Sequence, residues 1–220
     1  MTTASARVLE TIPTTKTSHP TESMLESEVL VVLVARSMRP RRKRVVAIET
    51  QVPVTFYREG VRKTHWFDIV LTYDDTSKGY FAVKKEGDGK LVKDDIKAIN
   101  NHTFATMPCF ALYVTGDAIP KPQVNLAREF MRSHDIVMET ELHDAILKKL
   151  TAAGGRATVH SLLTDLPAGT TYSDGWTMIY NMIGSGLINH DHHQAGVAPI
   201  ADRSWVRFAK GQVNDAARAA

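Results

Sequence analysis

Three strand-like runs in the first half of the chain, residues 45–54, 66–73 and 80–85, constrain the fold most tightly. Their connectors, 57–63 and 74–79, carry the Gly and Asp that hairpin turns favour, so the runs predict an antiparallel meander. Ahead of them, Ser23 with Glu26 three residues on fits a helix capping box. Leu25, Val29, Val32 and Leu33 then recur at helical spacing to about Arg36, although the valine run at 29–34 also suits a strand. After the meander, 91–101 predicts a helix and 110–114 a short strand. Helix, meander, then alternating helix and strand argue an α/β or α+β unit.

The 220 residues suit one large domain or two small ones, and the pattern favours two. Residues 1–20, polar and holding two prolines, read as a mobile arm, and 211–220 as a flexible tail. A first domain spans 21–119. Pro120-Lys-Pro122 opens a joint, 120–135, that includes a connecting helix. In 136–210 a helix at 139–153 closes at Gly154-Gly155. Shorter helices at 158–164 and 173–183 follow, then strands at 187–189 and 204–208. That order predicts a small winged-helix domain.

Cys109 is the single cysteine and cannot form an internal disulfide; it reads as a small buried apolar residue. No apolar run approaches the roughly 18 residues of a membrane span, and no basic-then-apolar leader opens the chain. A soluble, cytoplasmic protein with no membrane partner is the expectation. The net charge of +3 says little as a total. Residues 1–134 hold 20 Lys/Arg against 15 Asp/Glu, a surplus of five, whereas 135–220 hold 7 against 9. The first part attracts polyanions and the second does not.

Within that basic half, Glu26 lies on the leading helix, Asp68 early in a strand, and Lys84 at the end of the next. Strands joined by a short hairpin present Asp68 and Lys84 at one sheet edge, and a helix packed on the sheet can lower Glu26 into it. Phosphodiester hydrolysis needs this set: carboxylates to hold Mg²⁺ (or Mn²⁺) and a cation near the attacking water. Phosphate contacts are expected from Arg36, Arg39, Arg41, Arg42, Lys43 and Arg44, six basic residues in nine, and from Arg62, Lys63 and Lys85. Taken singly, Asp68 and Lys84 are ordinary charged strand ends, Glu26 is a capping residue, and the basic run is a solvated face.

Ser23-Met-Leu-Glu26 leading an apolar helix, a strand containing Gln51, an Arg/Lys-rich hairpin, Phe67-Asp-Ile-Val-Leu-Thr-Tyr73 and Ala82-Val-Lys84 together resemble the TnsA-type transposon endonucleases. The likeness covers roughly 21–115, and the winged-helix-like segment beyond it suits the same two-domain layout. It implies an α/β restriction-endonuclease-like mixed sheet with flanking helices, of the PD-(D/E)xK kind, followed by a small winged-helix domain. It further implies a Mg²⁺-dependent nuclease that nicks DNA in transposition beside partner proteins. Glu26 and Asp68 would be metal ligands, the Val83 carbonyl would complete the site, and Lys84 would position the water. Two positions depart from the family pattern. Ala82 stands where this fold usually has Glu or Gln, and Trp66 where it often has Pro. Glu86, on the face that Ala82 and Lys84 share in a regular strand, is the expected compensating ligand.

Two alternatives stay open: a catalytically degenerate DNA-binding or assembly subunit, and a winged-helix transcriptional regulator. Helix 173–183 contains no Lys or Arg, which disfavours base readout and suits protein subunits as partners of the C-terminal domain. Trp176, Ile179, Tyr180 and Ile183 read as its core face. His190-Asp-His-His193 reads as an exposed polar loop rather than a zinc site.

Overall fold

The computed structural model describes residues 8–12, 15, 17–39, 42–85, 89–134, 136, 140–191 and 198–209. The tail at 211–220, with Arg41, Glu86, His192 and His193, lies outside these residues. The chain is of mixed α/β type and divides into two compact units after Pro120, Met38 and Arg39 grouping with the second. Among the described residues, no helix is long and apolar enough to cross a membrane.

The first unit opens with a correction. Much of the expected mobile arm is a hairpin: β1 (Val8–Ile12) pairs antiparallel with β2 (Thr17–Thr21). Ile12 is fully buried, and both strands pack on α1 (Met24–Ser37). That contact explains why a valine-rich segment is helical. Val29, Leu30, Val31, Val32 and Val34 are all buried, so α1 is enclosed on nearly every side by the hairpin and the sheet. Burial on this scale outweighs the small helix penalty of β-branched residues.

The sheet has the order β3 (Val45–Arg58), β4 (Val61–Tyr73), β5 (Lys78–Lys84), β6 (Cys109–Thr115). The first three strands form the expected meander and β6 runs parallel to β5. The crossover is α2 (Gly89–Ala98), extended by a π-helical turn at Ile99–Thr103. The expected connector at 57–63 is instead continuous hairpin, closed by Glu59 (φ 55°) and Gly60 (φ 76°). Two consecutive left-handed residues make the two-residue turn whose twist matches paired strands.

Edge strand β6 is covered by the π-helical turn: Asn100 donates to the Ala111 carbonyl at 2.9 Å and accepts from its N–H at 2.8 Å. Cys109 is half-buried rather than buried, because it begins this edge strand. Replacing Asn100 with Ala is expected to lower stability by about 1–3 kcal/mol, read by chemical denaturation, with faster exchange of the Ala111 amide.

The second unit comprises α3 (Lys121–His134), α4 (Thr140–Ala152), β7 (Arg156–Thr158), α5 (Val159–Leu163), α6 (Tyr172–Gly184), β8 (Ile188–His190) and β9 (Trp205–Phe208). Its three strands form an antiparallel sheet of order β7-β9-β8, and β7 ends at Thr158, the residue that caps the helix expected at 158–164. Thr158 caps α5 and a Thr171–Asp174 capping box starts α6. The core gathers Leu142, Ile146 and Leu150 of α4 with Met178, Ile179, Met182 and Ile183 of α6. Trp176 packs against that core, half-buried, with its ring tilted at 33° to that of Tyr180 and the centroids 5.5 Å apart.

Candidate active site

The sheet changes character at Asp68. Below it, Val52, Val54, Phe56 and Phe67 join an apolar cluster with Ile96, Ile99 and Phe104 of the α2 segment. Above it, Val70 and Ala82 join the same cluster. Residues of one strand face should have one parity, yet Phe67 and Val70 share a side. The alternation therefore slips at Asp68 and Ile69. Across the ladder, Thr50 pairs with Ile69 and Val52 with Phe67, leaving Gln51 opposite Asp68. Gln51 has φ 55°, a left-handed conformation rare for a non-glycine residue and concentrated at functional sites.

Pairing between β4 and β5 also stops here, with Ile69 opposite Phe81. Beyond that point the Asp68 side chain serves as the link. Its Oδ2 accepts the Val83 N–H at 2.7 Å and the Lys84 ammonium at 3.3 Å. Gln51 Nε2 donates to Oδ1 at 3.4 Å. Asp68 is 5% exposed, while the Lys84 side chain is 36% exposed.

Glu26, 8% exposed in the first turn of α1, forms the third corner. The capping box forms in a modified version. Ser23 Oγ accepts the Glu26 N–H at 3.2 Å and donates to Oε1 at 3.0 Å, while Oε2 accepts the N–H of Glu22 rather than that of Ser23. Burial pushes the Glu26 carboxyl above the ordinary glutamate range, and the Asp68 charge adds to that rise against the pull of the Glu22 and Ser23 hydrogen bonds. The sequence-predicted Glu26, Asp68 and Lys84 are thus brought together. Two buried carboxylates against one partly exposed ammonium leave the site short of positive charge.

This shift has a sign. The folded chain holds the Glu26 proton more tightly than the unfolded chain, so its contribution is present below the ordinary glutamate value and lost as pH rises through the raised one. Glu26→Gln is therefore expected to raise Tm at pH 7, the gain vanishing toward pH 4, as read by thermal melts across that range.

Ala82 is fully buried in the apolar cluster beneath β5, so position 82 belongs to the core and a carboxylate there would lie among Phe67, Val70 and Ala111. Among the described residues, no group of three or more His, Cys, Asp or Glu converges. His190 lies in β8.

The basic residues fall into three groups. Arg36, Arg39, Arg42, Lys43 and Arg44 are all exposed, and Lys43 bonds Asp75 at 2.6 Å and the Ser77 hydroxyl at 3.1 Å. Hydrogen bonds to Asp75 from Lys43 and from the Ser77 hydroxyl, the latter at 2.6 Å, hold the Asp75 carboxyl down to about 2. Arg62 is exposed and Lys63 half-buried beside the β3–β4 turn, and Lys85 is exposed directly after Lys84.

Sequence reasoning missed a second, half-buried network. Arg58 donates to Asp95 of α2 at 2.7 Å, and His65 Nδ1 lies 3.9 Å from the same carboxylate. Burial keeps the His65 imidazole below its usual range. The arrangement depends on Arg58 and Val61 closing the hairpin, a register hidden when 57–63 is read as a connector. A cavity of about 510 Å³ opens beside Thr115, the strand partner of Lys84, and is lined by Lys90, Lys93 and Tyr113. No protein-family model matches the chain, and no curated protein matches it either.

Proposed function

We propose that the first unit is a divalent-metal-dependent DNA endonuclease domain of restriction-endonuclease-like fold, similar to the TnsA-type enzymes and acting in mobile-element DNA cleavage. The observation that carries this reading is the buried Glu26–Asp68 pair, with Lys84 bound to Asp68 where β4 and β5 part. The donor set suits Mg²⁺ or Mn²⁺: two carboxylates and the Val83 carbonyl, with the remaining positions left to water and phosphate oxygens. When bound, such an ion neutralises charge on phosphate oxygens and acidifies a coordinated water.

The chain's own groups divide the remaining work. Asp68 and Glu26 would hold the cation, and Gln51 fixes the Asp68 carboxylate from across the ladder. Lys84, with its ammonium partly open to solvent, faces the incoming phosphate and orients the attacking water. Arg62, Lys85 and the exposed arginines near 36–44 supply phosphate contacts.

The second unit supports a winged helix in its order of α4, β7, α5, α6 and two closing strands. Its α6 presents no Lys or Arg, and Trp176 and Tyr180 are half-buried. A protein subunit suits that helix better than a DNA groove. A second reading, a degenerate DNA-binding subunit of the same fold, is favoured by Ala82 occupying a core position.

Incubation with a labelled duplex separates the two. The nuclease reading expects cleavage by the wild type in Mg²⁺ or Mn²⁺ and at least about a 100-fold loss in Lys84→Ala. Salt-sensitive duplex binding with no cleavage under either metal would select the degenerate subunit.

A further inference from the structure

The β3–β4 hairpin continues past the last pairing with β5 as a two-stranded ribbon, and its two faces differ sharply. The inner face carries Val52, Val54, Phe56 and Phe67 into the α2 cluster, and Arg58 and His65 meet Asp95 of α2. The ribbon is therefore fastened along its underside. On the outer face the cross-strand pairs are Pro53–Trp66, Thr55–Thr64 and Tyr57–Arg62, and all six residues are exposed. Trp66 is 57% exposed and Tyr57 62%, unusually open for aromatic side chains in a strand. Nothing acidic interrupts that face, and Arg62 supplies its charge.

This outer face lies away from the α2 cluster, on the side toward which Asp68 couples to Glu26. Arg62, Thr64, Trp66 and Asp68 follow one another along β4, so the strip runs about 20 Å from the turn to the carboxylate. Two-stranded ribbons fit the major groove of B-DNA, and exposed aromatic rings beside an arginine suit base edges, thymine methyls and sugar faces.

We infer that the outer face of the β3–β4 ribbon, through Tyr57, Arg62 and Trp66, docks in the major groove of duplex DNA flanking the phosphate at Asp68. The inference rests on the nuclease reading and adds to it the surface that sets the duplex in place. Tyr57 and Trp66 are positioning residues, remote from the reacting phosphate.

The test uses the full chain and a 30-bp duplex carrying 5-bromodeoxyuridine, whose bromine projects into the major groove. Ultraviolet cross-links from the wild type are expected on the peptide spanning 53–66. By fluorescence anisotropy, the Tyr57→Ala/Trp66→Ala double variant is expected to bind about tenfold or more weakly with an unchanged salt slope. Trp66→Phe should stay within about threefold of wild type, and Arg62→Ala should flatten the slope by about one.

Cross-links confined to other segments, with wild-type affinity in the double variant, would overturn the ribbon assignment. Continued nicking by the wild type would then leave the nuclease reading standing. Tighter, Trp66-dependent binding to the single strand would overturn the duplex-groove assignment. A wild type that neither binds nor cuts duplex would remove the nuclease reading and this inference with it. The cross-link map uses unaltered protein, so it decides the matter even if the double variant misfolds.

Discussion

If the proposed nuclease function holds, Asp68→Asn is expected to leave a folded protein with DNA cleavage down by at least about 100-fold. Asn is the informative replacement. Its amide oxygen can still accept the Val83 N–H that Asp68 holds at 2.7 Å, so the join between β4 and β5 survives. What disappears is the negative charge that binds Lys84 and faces Glu26. Removing that charge should also lower the Glu26 carboxyl's proton affinity, although burial keeps it above the ordinary range. A side-chain carboxyl titration by NMR reads this directly. By contrast, Asp68→Ala strands a buried N–H at a cost of about 1–3 kcal/mol. Lost activity in Ala with retained activity in Asn would mean that Asp68 serves the fold and not the chemistry.

Gly184→Ala is expected to destabilise the second unit by about 1–3 kcal/mol or more. Helix propensity alone gives the opposite sign, since Ala exceeds Gly by about 1 kcal/mol in a helix interior and by less at the last helical residue, where Gly184 lies. Packing reverses it. A Cβ on Gly184 would lie 1.6 Å from Cδ2 of the Phe130 ring and 2.0 Å from Cε2. Phe130 is 4% exposed on α3 and cannot swing into solvent without giving up its burial. Phe130→Ala should itself cost about 3–5 kcal/mol through the cavity it leaves. The two changes share one volume, so the double variant should be more stable than the sum of the singles implies. Urea denaturation of the four proteins measures that coupling, and additive losses would show that the ring does not pack on Gly184.

Helix α1 was legible in the sequence because Ser23, Glu26 and the apolar spacing agree, and the meander because its runs are β-branched and bounded by turn residues. The β1–β2 hairpin was hidden in Thr, Ser, His and Pro, whose pairing is set by α1 and not by local pattern. Residues 57–63 read as a connector because Arg58, Arg62 and Lys63 mask the alternation that Phe56 and Phe67 reveal once register is known.

At the site, the identity of the residues was more legible than their geometry. Residue types and order marked Glu26, Asp68 and Lys84. The strained Gln51 and the Arg58–Asp95–His65 network follow from cross-strand register, which one sequence does not encode locally. The face shared by Ala82 and Lys84 proved to be a core face at Ala82, and the parity slip at Asp68 is what separates that core from the carboxylates.

The central claim is that the Glu26–Asp68 pair with Lys84 is a metal-dependent phosphodiester-cleaving site. Conversion of supercoiled plasmid to open circles, run for wild type, Asp68→Asn and Glu26→Gln in Mg²⁺, Mn²⁺ and EDTA, tests it most directly. Nicked product is expected from the wild type in metal alone, and none from either variant or in EDTA. Equal nicking by all three proteins, or none from a well-folded wild type in either metal, would contradict it.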